Sequence, residues 1–205
     1  SSQEIEKDNH QDSLETQKKL KKLANSHFCL FIGQLKLRKG WDIYLEAINF
    51  VDKTIMPLFI VITSSAKKPP EYFFKKLENL KIKDRVIFFG QVSGQTLKKI
   101  YDLSSIVIVP SRYEGFGLVA AESFENKKPL IASAVPALTE FVIEGLNALT
   151  VPPKNPEKLA QAIKRLAADK ELSQKLVAGG QATLARHSSD ELKKQWLDLY
   201  YNLIS

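Results

Sequence analysis

The sequence predicts an α/β fold: a doubly wound parallel sheet of about six strands, with helices on both faces and a helical C-terminal extension. Three observations carry this. Short runs rich in β-branched and aromatic residues, at 28–32, 58–62, 86–89 and 106–109, recur along the chain and end in turns marked by Gly or Ser. Amphipathic helical segments separate them, the alternation expected of parallel strands joined by crossover helices. The runs are continuously apolar and do not alternate with polar residues, as strands buried on both faces require.

In chain order, residues 1–25 form a polar lead segment, disordered at first and then helical over about 13–24, with Ile5, Leu14, Leu20 and Leu23 as its few apolar positions. A single domain follows over 26–205. Its first strand, 28–32, leads through Gly33 to Gly40 into a helix over 41–51 carrying Ile43, Tyr44, Ala47 and Ile48 at helical spacing. The second strand, 58–62, ends in Thr63-Ser64-Ser65, and a helix over 70–80 follows. The third strand, 86–89, closes at Gly90-Gln91-Val92 before a helix over 94–103 with Leu97, Ile100 and Tyr101 on one stripe. Beyond the fourth strand, 106–109, a Gly-punctuated turn opens an apolar helix ending at Phe124. Strands at 129–132 and 148–151 complete the sheet. Asn155 and Pro156 read as the cap and first residue of a helix with Leu159, Ala162, Ile163 and Leu166 on its buried stripe. The next helix, 172–186, is expected to break or kink at Gly179-Gly180. Ser188 or Ser189 then caps a last helix carrying Leu192, Trp196, Leu199 and Leu203.

Composition excludes several classes. With 205 residues, 44% hydrophobic and 26% charged, the chain can bury a sizeable core. It has no apolar run of transmembrane length and no signal-peptide core at its start, so it is expected in the cytoplasm. The net charge of +7 suits an anionic partner. Its lysines are scattered in pairs (Lys18-Lys19, Lys67-Lys68, Lys98-Lys99, Lys193-Lys194), with no nucleic-acid module beside them, so no nucleic-acid partner is expected. Cys29 lies within an apolar strand and has no cysteine to pair with. His10, His27 and His187 fall in unrelated segments, so neither a metal site nor a cofactor is expected.

The stretch Pro110-Ser111-Arg112-Tyr113-Glu114-Gly115-Phe116-Gly117-Leu118-Val119-Ala120-Ala121-Glu122 concentrates the functional signal. It runs from strand through turn to helix, and a helix start at the carboxyl edge of a parallel sheet offers unpaired N–H groups and a positive dipole end to an anion. Gly115 and Gly117 let a ligand approach the backbone. Glu122 sits among Leu118, Val119, Ala121 and Phe124, an apolar setting that suits an acid only when it meets a polar ligand. On that reading, removing its carboxylate should leave the stability of the empty protein level or higher.

Glu114 and Glu122, with seven residues between them in a Ser-to-Glu-Gly-Phe-Gly setting, resemble the Glu-x7-Glu signature of the retaining glycosyltransferases of family 4. Those enzymes pair two Rossmann-like domains in the GT-B fold and use nucleotide diphosphate sugars. The resemblance covers residues 27–187 and implies a C-terminal, donor-binding domain. Gly33-Gln34-Leu35 and Lys39-Gly40 resemble the family's Gly-Arg-Leu and Lys-Gly motif, with Gln34 at the arginine position and Arg38, in the same loop, as the alternative source of the missing charge. By resemblance, Gln34, Lys39, Gly115, Phe116, Gly117 and Leu118 meet the donor diphosphate and sugar, and Glu114 and Lys39 are catalytic. Glu122 meets the ribose hydroxyls, and Gln91, Val92 and Val119 lie around the nucleoside. Residues 133–141 resemble a Ser-x-x-Gly-Gly-x-x-Glu segment with Pro136 and Ala137 in place of the glycines, which stiffens the loop.

The implied reaction is transfer of a sugar, of the hexosyl type, from a nucleotide diphosphate to an acceptor hydroxyl with retention of configuration. No metal or cofactor is implied. The implied partners are the donor, an acceptor the sequence does not identify, and an N-terminal Rossmann-like domain missing here, without which the isolated chain is expected to be inactive. Peripheral membrane contact, if any, belongs to the full-length protein. The competing readings are a nucleotide or nucleotide-sugar binding module without catalysis, and a nucleic-acid or membrane-surface protein, which would need its lysines gathered on one face.

Overall fold

The computed structural model describes residues 14–63 and 68–187. Six parallel strands form one sheet in the order β3-β2-β1-β4-β5-β6: β1 (Phe28–Ile32), β2 (Leu58–Ile62), β3 (Val86–Gly90), β4 (Ile106–Val109), β5 (Leu130–Ser133) and β6 (Leu149–Val151). β1 and β2 pair in full register, Phe28 with Leu58 through Ile32 with Ile62. The chain runs outward from β1 to β3, returns to lay β4 against the other side of β1, and then proceeds to β6. The winding direction therefore reverses between β1 and β4, where the carboxyl ends of neighbouring strands leave a crevice.

Strand residues alternate between two cores. Cys29 and Phe31 join a cluster with α2 (Trp41–Ala47), α3 (Glu71–Asn79) and α7 (Pro156–Ala168) through Trp41, Tyr44, Phe73, Leu159 and Ile163. Phe28 and Leu30 face the other core, built with α1 (Leu14–Leu23), α4 (Gly94–Leu103), α5 (Leu118–Glu125) and α6 (Pro136–Thr139) through Leu23, Ile100, Tyr101, Phe124 and Leu138. Leu23 is buried, so the last turn of α1 is built into this core.

Several boundaries differ from the sequence reading for identifiable reasons. α2 stops at Ala47 and gives way to a 3₁₀ turn, Ile48–Phe50, with Val51 extended, so the helix does not reach 51. The buried guanidinium of Arg85 takes the carbonyls of Ile48, Val51 and Met56 at 2.7–2.8 Å, a set that an uninterrupted helix would not present. The Tyr44 hydroxyl pins the same helix to the sheet through the Cys29 and Ile60 carbonyls. The stiff segment at Pro136 forms the short helix α6.

α8 (Lys170–His187) is unbroken at Gly179-Gly180. It starts directly after Asp169, whose carboxylate accepts from the Leu172 amide. The two glycines serve packing: a Cβ on Gly179 would lie 1.9 Å from the Leu146 carbonyl oxygen, and one on Gly180 would lie 2.5 Å from the Phe124 ring. The expected helix after Ser188 or Ser189, the lead segment 1–13, and Ser64-Ser65 lie outside the described residues.

Candidate functional site

Two loops, one after β1 and one after β4, meet over the crevice. Gly40 holds φ 71°, and a Cβ there would fall 1.9 Å from the Pro110 carbonyl oxygen, so only glycine permits the contact between the loops. Hydrogen bonds then join them. The Arg38 carbonyl accepts from the amides of Arg112 at 2.8 Å and Tyr113 at 3.3 Å. The Arg112 guanidinium donates to the Leu37 carbonyl and, as a fork, to both carboxylate oxygens of Asp42 at 2.6 Å. Burial raises the Asp42 pKa, but the Arg112 hydrogen bonds and charge outweigh it and hold the carboxyl below its ordinary value.

Within this frame the Lys39 ammonium lies 2.7 and 2.8 Å from the two oxygens of Glu114, and Ser111 donates its hydroxyl to one of them at 2.8 Å. Glu114 is only 7% exposed and Lys39 19%. A carboxylate buried this far needs such partners, because an unpaired one would be too costly to keep charged.

α5 begins just beyond. Its cap, Gly117, has φ 65° and no side-chain cap bond. Ala120 and Ala121 donate back to the Gly117 carbonyl, which leaves the Leu118 and Val119 amides as the donors that the helix itself does not use. A Cβ on Gly117 would strike Leu138 at 2.6 Å and the Phe141 ring at 2.9 Å, so this glycine serves both turn and packing. Gly115 faces open space. One turn into the helix, Glu122 accepts a 2.7 Å hydrogen bond from the Tyr101 hydroxyl of α4. Burial first, and then the bond to the Glu122 carboxylate, raise the pKa of this phenol far above its ordinary value.

A cleft of about 460 Å³ opens between these elements. It brings together Lys39, Glu114, Gly115, Phe116, Gly117, Leu118, Val119 and Glu122, all singled out from the sequence, with Arg38, the alternative to Gln34, and adds Ile32 and Leu97. Gln34, Gln91 and Val92 are not among its lining residues. The side-chain oxygen of Gln34 is buried without a hydrogen-bond partner among the described residues. Gln91 is exposed and Val92 half-buried at the end of β3. Leu97 and Tyr101 read in the sequence as an ordinary helical stripe. Neither carries a signal separating a cleft residue from a core one, and Tyr101 is indeed in the core.

Among the described residues no three His, Cys, Asp or Glu side chains gather as metal ligands, and no helix is long and apolar enough to cross a membrane. Cys29 is buried, and burial pushes its thiol pKa well up. A smaller cavity of about 220 Å³ lies at the β6 edge, lined by Glu144, Thr150, Lys158 and Arg165 among others.

The family described as glycosyl transferases group 1 matches residues 12–183. The D-inositol 3-phosphate glycosyltransferase of Xylanimonas cellulosilytica is 30% identical over 181 residues, which cover 86% of this chain and 42% of that protein. Among solved structures, sucrose-phosphate synthase from Thermosynechococcus elongatus superposes with a TM-score of 0.77 at 28% identity, over 94% of this chain and 49% of that one. HepE of Anabaena, crystallised with UDP and glucose, superposes with a TM-score of 0.78 at 20% identity, over 93% of this chain and 53% of that one. The sheet with its flanking helices is the Rossmann-like α/β unit of the GT-B fold. The chain spans less than half the length of the curated relatives it matches.

Proposed function

The chain belongs to the glycosyl transferases group 1 family, and on that premise we propose that it is the C-terminal, donor-binding half of a retaining family 4 glycosyltransferase. The observation that carries this reading is the convergence, at one switch-point cleft, of the Lys39–Glu114 pair, the unused amides of Leu118 and Val119, and the Glu122 carboxylate. Each suits one part of a nucleotide diphosphate sugar. The helix-start amides suit the diphosphate. Gly115, with open space where a side chain would stand, admits the phosphate or sugar close to the backbone. Glu122 has one oxygen on Tyr101 and the other left to accept from ribose hydroxyls.

In the transfer, the bond between the anomeric carbon and the donor's phosphate oxygen breaks, a bond to the acceptor oxygen forms on the same face, and the acceptor hydroxyl's proton passes to the departing diphosphate. The leaving diphosphate gathers negative charge, and Lys39 with the α5 amides stabilises it where it develops. Glu114, held by Lys39 and Ser111, is positioned to meet the hydroxyls of the transferred sugar. We assign Gln34 a neutral hydrogen bond toward the diphosphate, and Gln91, Val92 and Val119 the nucleoside side. The sugar is a hexose, the acceptor binds an N-terminal Rossmann-like domain in the full-length protein, and the enzyme acts in the cytoplasm, in keeping with its lone buried cysteine.

The second reading is a binding module that holds the donor without transferring it. It draws on Glu114 being tied up in an ion pair. Calorimetric titration of this chain with UDP, GDP and ADP and their hexose conjugates tests the donor-site reading: at least one is expected to bind with sub-millimolar affinity, and no binding by any of them at millimolar concentration contradicts it. Transfer assayed on the full-length protein separates enzyme from module. The isolated chain is expected to turn over poorly or not at all.

A further inference from the structure

We propose that Arg38 is a second cation, beside the Glu114-paired Lys39, that this cleft commits to the phosphates of its ligand. The inference rests on the nucleotide-sugar reading above and concerns which residue supplies the charge. Lys39 is the obvious candidate, but both oxygens of Glu114 hold its ammonium, and the pair contributes no net charge to the cleft. Glu122 adds a negative charge and its partner, Tyr101, is neutral. Without Arg38 the ionisable groups lining the cleft are Lys39, Glu114 and Glu122, one cation against two anions, a field that opposes entry of a phosphate. With Arg38 the sum is zero.

No acidic partner claims Arg38 among the described residues, whereas Arg112, next to the same loop, is forked onto Asp42. Gln34 cannot substitute, since it is neutral and presents a buried acceptor oxygen without a donor. The Arg38 backbone is nevertheless fixed, because its carbonyl accepts from two amides of the β4 loop and it stands in a 3₁₀ turn, Leu37–Lys39. The guanidinium is thus free while its point of attachment is held at the cleft wall. That combination suits forked, charge-assisted hydrogen bonds to phosphate oxygens. It also places the charge on an exposed loop, so binding should be strongly salt-dependent.

The test titrates the 205-residue chain with UDP, GDP, ADP and the corresponding nucleosides, in wild type, Arg38→Ala, Arg38→Lys and Gln34→Arg/Arg38→Ala. Circular dichroism checks folding, which an exposed arginine is not expected to affect. The expected result is a loss of roughly tenfold in diphosphate affinity for Arg38→Ala, with nucleoside affinity unchanged, a shallower salt dependence, and partial recovery in Arg38→Lys and in the double variant. Diphosphate binding in Arg38→Ala equal to wild type overturns the assignment of Arg38 alone. Equal weakening of nucleoside and diphosphate also overturns it, because loop structure would then be the cause. Failure of the wild type to bind any of the three diphosphates removes the donor-site reading and the Arg38 assignment together.

Discussion

Replacing Glu122 with alanine separates what a ligand needs from what the fold needs. The sequence suggested that this carboxylate burdens the empty protein, so that its loss should leave stability level or higher. The structure reverses that expectation, because the Tyr101 hydroxyl, on a residue only 2% exposed, donates to Glu122 at 2.7 Å. In Glu122→Ala this buried phenol loses its acceptor, and a buried polar group left unsatisfied costs about 1–3 kcal/mol. For a domain of this size each kcal/mol lowers Tm by about 2–4 °C, so thermal unfolding should fall by about 2–12 °C.

Tyr101→Phe removes the donor instead and leaves a half-buried carboxylate that water still reaches. It should cost less, and Glu122→Ala combined with Tyr101→Phe should regain part of what Glu122→Ala alone loses. Nucleotide affinity orders the variants differently: Glu122→Ala should weaken binding by on the order of ten- to a hundredfold, through about 1.5–3 kcal/mol per hydrogen bond to a charged group. Tyr101→Phe should keep most of it. Differential scanning calorimetry with and without the nucleoside diphosphate reads both effects. A Glu122→Ala protein as stable as wild type, or a double variant with no recovery, would refute the stability argument. Normal nucleotide binding by Glu122→Ala would refute the assignment of Glu122 to the ligand.

Three further expectations concern the frame. Gly179→Ala should destabilise by about 1–3 kcal/mol through the clash with the Leu146 carbonyl, although alanine is the better helix former by about 1 kcal/mol. Gly94→Ala, at the first turn of α4 with nothing within 4 Å, should be neutral or mildly stabilising, and urea midpoints distinguish the two. Asp42→Asn should cost about 1–3 kcal/mol at neutral pH by leaving Arg112 without its anion. Because the Asp42 carboxyl is depressed in the folded state, its contribution is present above its unfolded pKa of about 3.9 and is lost as pH falls through the lower folded value. The gap between wild type and Asp42→Asn should therefore narrow below about pH 4. A gap constant from pH 7 to pH 2 contradicts the ion-pair account.

The strands were legible because burial on both faces writes itself as continuous apolar runs, and the turn at Glu114 to Gly117 because glycine placement follows backbone need. Side-chain direction was not legible. Arg38 and Gln34 are four residues apart in one loop and both were candidates for the motif's arginine role, and only the three-dimensional path puts Arg38 and not Gln34 among the residues lining the cleft. Gly179-Gly180 misled because a glycine pair that lets two backbones touch looks, in one dimension, like a pair that ends a helix. The Tyr101–Glu122 bond joins residues from different helices, and nothing in either segment alone marks it.

The central claim is that the cleft between β1 and β4 takes the nucleoside diphosphate of a sugar donor. Amide NMR of the labelled chain during titration with UDP, GDP or ADP tests it most directly, by locating the bound ligand residue by residue. Shifts concentrated at Lys39, Gly115, Leu118, Val119 and Glu122 are the expected result. Shifts confined to the β6 edge, at Thr150, Lys158 and Arg165 around the smaller cavity, would place the nucleotide elsewhere and contradict the account.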